Sequence, residues 1–211
     1  MTPEAEAGFR SLLSLLDIAA DDNPEGIFSN LIKAVAWSFR QSERTQLDGK
    51  PNSDLDAMLN GLQEHTSLWM GLLPHLATVD RDYFHLAKRM AARTLVRHTA
   101  PALLYRQMAA ALLVSEPPRR SKPKAARDAL IVIGIAVLQQ TSVLPTESYK
   151  TTPMTRSGCG RISKELHDVH RLTVTYDAIE KVWKNKRSRL HAAGFTEQQA
   201  SDFLSFFSPM K

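Results

Sequence analysis

Apolar residues recur along this chain at intervals of three and four, the spacing that lines one face of an α-helix. Phe9, Leu12, Leu13, Leu16 and Ala20 form the first such stripe. It is opened by Thr2, Pro3 and Glu4, which put proline at the first helical position and an acid in the first turn. Asn23, Pro24 and Glu25 open a second helix in the same way, carrying Ile27, Phe28, Leu31, Ile32, Val35 and Phe39 on one side. Residues 46–52 hold Gly49 and Pro51 and read as a loop. Ser53 then caps a third stripe of Leu55, Met58, Leu59 and Leu62, and a short fourth follows around Leu68, Trp69, Leu72 and Leu73. Asp80 opens a longer fifth with Tyr83, Phe84, Ala87, Met90, Ala91 and Leu95. Thr99, Ala100 and Pro101 break it and start a sixth, with Leu104, Met108 and Leu112. Six amphipathic helices on short connections predict one helical bundle over residues 1–114.

The pattern changes at residues 115–124, where three prolines and four cations (Arg119, Arg120, Lys122 and Lys124) fall within ten positions. Such a stretch is either an exposed linker or a docked arm. Beyond it, residues 125–140 are apolar on almost every side. Their length favours a buried helix, while their Ile and Val content leaves a strand open. Residues 141–158 read as a polar loop. Three more helices are expected at 159–169, 175–190 and 196–207, with Gly194 at a helix C-cap and Thr196 and Glu197 restarting the chain. The expected fold is all-α: an N-terminal bundle (1–114), a basic Pro-rich linker (115–124), and a smaller basic helical domain (125–211).

Composition narrows the class. A 211-residue chain with 43% hydrophobic and 23% charged residues suits a globular protein. Its acidic start is unlike a secretory signal. The longest apolar run, residues 129–138, is about half of what a bilayer requires, so no membrane role is expected. The single Cys159 excludes an internal disulfide and fits a reducing compartment, with the cytoplasm as the expected location.

Charge is unevenly spread. Residues 1–114 hold 11 Lys and Arg against 13 Asp and Glu, residues 115–195 hold 15 against 7, and residues 196–211 hold 1 against 2. The net charge of +5 therefore hides a segment of +8, enough to attract a polyanion through release of its condensed counterions.

Within that segment, Arg161, Ile162, Ser163, Lys164, Glu165 and Leu166 are followed by Thr175, Tyr176, Asp177, Ala178, Ile179, Glu180, Lys181, Val182 and Trp183. Residues 159–189 thus resemble the helix-turn-helix DNA-binding proteins of bacteria and their mobile elements. The connection, His167 to Val174, is longer than that family's tight turn and lacks its glycine. The resemblance implies that Ile162 and Leu166 supply core contacts and that Thr175 caps a recognition helix with Ile179, Val182 and Trp183 inward. Tyr176, Asp177, Glu180, Lys181 and Lys184 would then face out, and Lys186, Arg187 and Arg189 would reach phosphates near the helix end. Arg161 and Lys164 complete the implied nucleic-acid-binding set.

A second cationic feature lies in the acidic half. Arg81, His85, Arg89, Arg93 and Arg97 form an i, i+4 row, with Lys88 beside it and Arg106 on the next helix. Neighbouring cations repel unless something anionic faces them. That could be a partner, or neutralisation by Asp54, Asp56, Glu64 or another subunit. Catalysis has little support, because there is no phosphate-binding glycine loop, nucleophile elbow or H-E-x-x-H motif. His167 and His170 with Cys159 fall short of a four-ligand zinc site, so neither metal nor cofactor is expected.

Two functions remain in view. One is non-enzymatic nucleic-acid binding, to DNA rather than RNA. The other is a helical protein-interaction module, such as a small subunit of a nucleoprotein complex or an inhibitor docking on a nucleic-acid-binding machine. A protein partner or a homodimer fits either.

Overall fold

The computed structural model describes residues 24–47, 66–96, 110, 113–141, 143–146 and 156–206, and among these the fold is all-helical. Eight helices are seen: α1 (Pro24–Leu47), α2 (Thr66–Ala77), α3 (Arg81–Val96), α4 (Pro123–Gln140), α5 (Gly158–Asp168), α6 (Tyr176–Lys184), α7 (Lys186–Ala192) and α8 (Glu197–Phe206). The helices expected near residues 2–20 and 53–62, and most of that at 101–112, lie outside the described residues.

Helix α4 is the centre of the fold. Pro123 sits in its first turn, where a missing N–H costs nothing. Ala126 and every residue from Asp128 to Leu138 except Gly134 appear among the buried side chains. Each fully buried Leu, Ile or Val is worth about 1.5–3 kcal/mol, so the all-round apolar pattern is satisfied only by helices packed around α4. Helices α1, α5, α6 and α7 all touch it, α1 most extensively. A helix, and not a strand, forms here because neighbours cover its whole circumference.

The buried residues make one cluster that runs from Ile27 in α1 to Phe203 in α8. Residues 115–124 separate the acidic and basic halves in sequence, yet the core is continuous across them. Trp37 and Tyr83 meet edge to face at 5.2 Å, linking α1 to α3. The Tyr83 hydroxyl lies 2.6 Å from Ser38 Oγ and 3.2 Å from the Ala34 carbonyl, and burial pushes its pKa far up. Gly158 lets α5 come close to α4, since a Cβ there would lie 3.2 Å from Ile135 Cγ2.

The helix starts follow their sequence signals. Asp80 Oδ1 accepts from the backbone N–H groups of Asp82 and Tyr83 at 3.0 and 3.1 Å, capping α3. Gly194, at φ 90°, ends α7 with nested bonds from its own N–H to the His191 carbonyl and from the Phe195 N–H to the Leu190 carbonyl. Thr196 and Gln199 then exchange side-chain-to-backbone bonds at 3.2 and 3.0 Å, a capping box for α8. Among the described residues, no helix is long and apolar enough to cross a membrane.

Candidate nucleic-acid interface

Ser157, fully buried, caps α5 by accepting from the Gly160 N–H at 3.2 Å. The helix then turns Ile162 and Leu166 inward, both completely buried. Its end is not made by glycine. Arg171 takes the left-handed backbone at φ 58°, and the Leu172 N–H returns to the Leu166 carbonyl at 2.9 Å around an inner bond from the Arg171 N–H to the His167 carbonyl. This nested stop allows a connection longer than a tight turn to keep α5 and α6 in contact. Ser163 Oγ closes it by donating to the Val174 carbonyl at 2.6 Å.

Thr175 caps α6, accepting from the Ala178 N–H at 3.3 Å in an extended conformation. Ile179, Val182 and Trp183 face inward. Tyr176 does too, at 8% exposure, and this corrects the outward placement implied by the resemblance. The reason is helical: Tyr176 stands three residues before Ile179 and seven before Trp183, and so shares their face. Asp177, Lys181 and Lys184 are exposed, and Lys184 Nζ lies 2.7 Å from Glu180, which raises the lysine's pKa.

The helix expected over 175–190 breaks at Asn185. Its side chain donates to the Lys181 carbonyl at 2.8 Å, competing with the regular backbone ladder. After the break, α7 turns Leu190 fully into the core and carries Arg189 onto α4.

The structure divides the cations of this half into two groups. Arg161 is tied to α1, pairing with Glu25 and standing 5.2 Å over the Phe28 ring. Arg189 Nη1 lies 3.4 Å from Asp128 Oδ2, and Arg127 reaches the other oxygen of the same 1%-exposed carboxylate at 3.4 Å. Facing outward are Lys164, Lys181, Lys184 and Arg187. Lys186 is half-buried over the Trp183 ring at 4.8 Å, and Arg187 lies 3.7 Å from the exposed Glu197. Lys184, Lys186, Arg187 and Ser188 face Ser201 and Ser205 of α8 across a shallow open depression.

The arginine row is only partly described. Arg81, His85 and Arg89 lie on the exposed side of α3. Arg81 spends its guanidinium on the linker, donating to the carbonyls of Pro118 and Arg119 at 3.0 and 2.9 Å. The side chain of Arg93, and Arg97 with Asp54, Asp56, Glu64 and Arg106, lie outside the described residues. All four linker cations, Arg119, Arg120, Lys122 and Lys124, are exposed.

Cys159 is buried and its thiol is pushed up to about 12 by desolvation. His167 pairs on the surface with Asp168, whose pKa it lowers, while burial lowers that of His170. Among the described residues, no three His, Cys, Asp or Glu side chains converge as metal ligands. Sequence reasoning missed the role of Asp128. Its signal was there, as the one acid inside an apolar helix, because a buried carboxylate needs a cation. No protein family, curated protein or solved structure matches the chain.

Proposed function

We propose that this chain is a non-enzymatic nucleic-acid-binding protein that engages duplex DNA through α5, α6 and the corner between α6 and α7. One observation carries the reading. The Thr175-capped α6 buries its apolar face while Lys181, Lys184 and Arg187 stay on the outside of α6 and just beyond its end. A short helix held this way can enter a major groove, with the cations at its end meeting the phosphate backbone.

Titration of a labelled duplex by anisotropy tests it, with Lys181, Lys184 and Arg187 changed together to Ala. The wild-type protein should bind more tightly than the usual non-specific range of about 10⁻⁴–10⁻⁶ M at physiological salt. The triple variant should lose at least about tenfold. Wild-type binding no better than that range, together with an inert triple variant, would end the reading.

A second reading, a helical protein-interaction module within a nucleoprotein complex, is favoured by a different detail. Asp177 is exposed on α6 and Glu180 is paired with Lys184, so its outer side carries both signs. Mixed charge suits selection of a protein partner. Size-exclusion mass with and without DNA separates the two, and reports a homodimer directly.

A further inference from the structure

We propose that residues 115–124 form a docked cationic arm, held by Asp80 and Arg81, which grips the phosphates of the same duplex beside the α6–α7 corner. The inference rests on the DNA-binding reading above and adds a second contact element to it.

The arm is fastened at several points. Asp80, 1% exposed, uses Oδ1 to cap α3 and Oδ2 to accept the Ser121 hydroxyl at 2.7 Å. The Ser121 oxygen also accepts from the Arg81 N–H at 3.2 Å, and the Lys122 N–H donates to the Val79 carbonyl at 2.7 Å. Arg81 donates to the carbonyls of Pro118 and Arg119. What remains outside is charge: Arg119, Arg120, Lys122 and Lys124, against the single acid Glu116. An internal hinge would have no need of four cations held on a fastened backbone. A phosphate-binding element gains from it, because a segment that is already ordered loses less conformational freedom on binding.

The arm's place in the fold matters as much. Val79, which holds Lys122, also lies near Gly194 at the end of α7: a Cβ on that glycine would be 3.6 Å from Val79 Cγ1 and 2.7 Å from Thr78 Oγ1. His75 stacks on Phe195 at 4.7 Å in the same corner. Lys124 stands one turn before Asp128 on α4, and Asp128 meets Arg189 of α7. The segment that holds the arm, residues 75–79, therefore lies against the C-terminal end of α7, while Lys184, Lys186 and Arg187 lie at its N-terminal end. A seven-residue helix spans about 10 Å. One DNA strand carries a phosphate about every 3.4 Å of axis, so the length of α7 alone sets the two cation groups at least about three phosphates apart.

The test uses the full chain and a labelled duplex of roughly 20 base pairs, following log K against log salt. One variant changes Arg119, Arg120, Lys122 and Lys124 to Gln, and a second, Ser121→Ala, keeps every charge but removes the latch. Thermal melts confirm that both fold. The charge variant should flatten the salt slope by about three to four, near 0.9 for each phosphate that is no longer neutralised. Ser121→Ala should weaken binding roughly threefold at fixed salt, because the arm loses one of its fastenings while the Lys122–Val79 and Arg81 bonds remain. An unchanged slope in the charge variant, alongside lost binding in the Lys181, Lys184 and Arg187 variant, overturns the arm and leaves the DNA-binding reading standing. Full affinity in Ser121→Ala overturns the latch. Binding lost with the arm but untouched by the α6–α7 change overturns the shared surface, and a wild-type protein that binds no duplex overturns both proposals.

Discussion

The seam between α7 and α4 and the corner between α6 and α7 lie within five residues of each other, and they use positive charge in opposite ways. At the seam, Arg189 and Arg127 close on Asp128, a carboxylate with 1% exposure. At the corner, the exposed Arg187 lies beside the exposed Glu197, and the exposed Lys184 ammonium reaches out to Glu180, whose own side chain is 17% exposed. A pair of that exposed kind contributes little to stability and is readily exchanged for an external anion. The buried one cannot be broken without leaving charge stranded. The excess of cations counted along the sequence is thus larger than the charge the surface offers.

The comparison can be broken first at Asp128. Asp128→Ala leaves Arg189 and Arg127 without their shared counter-charge and should cost about 3 kcal/mol in urea unfolding. That is the low end for a buried network, since both arginines keep some contact with water. A loss below about 1 kcal/mol would mean that the seam is no more than another surface pair.

Acid should find the other end of the seam. His75, stacked on Phe195 just past α7, has its pKa lowered from 6.5 to about 4 by desolvation. An unfolded chain takes up that proton near pH 6.5, while the folded chain resists it until about pH 4. Stability from this group is therefore complete above the higher value and falls as pH drops through the window. Between pH 7 and pH 5 it should decline by about 1–2 kcal/mol. The difference between wild type and His75→Gln across a pH series isolates the effect, and parallel curves would dismiss it.

A smaller change sharpens the corner. Thr175→Ala removes the α6 cap and should cost about 1 kcal/mol, measured by thermal melting. DNA affinity should drop with it, because α6 then frays at the end that leads into the groove. A destabilised variant with full affinity would separate α6 from binding.

Much of the described fold was legible in the sequence. Pro24, Asp80, Gly194 and Thr196 act locally, and local signals can be read without knowing the neighbours. The resemblance implied the inward placement of Ile162, Leu166, Ile179, Val182 and Trp183, which are buried, but it put Tyr176 on the wrong side of α6. The break at Asn185 was not legible, because it depends on one side chain competing with the backbone and on α7 having α4 to lie against. Arg171 in the left-handed region was equally hidden, as nothing about an arginine announces it. The candidate site was read less well than the fold. Charge and spacing marked Arg161, Lys184, Arg187 and Arg189 alike, and only packing tells which of them meet an acid from a distant helix. The docking of residues 115–124 on Asp80 and Arg81 belongs to the same class, since it joins residues some forty positions apart.

The most direct test compares two arginines two positions apart. The salt dependence of duplex binding should be measured for Arg187→Ala and Arg189→Ala under conditions where both remain folded. Arg187→Ala should flatten the slope by about one, because one phosphate fewer is neutralised, and Arg189→Ala should leave it unchanged. Equal slopes for the two variants, or a larger change at Arg189, would contradict the division between an outward corner and an inward seam.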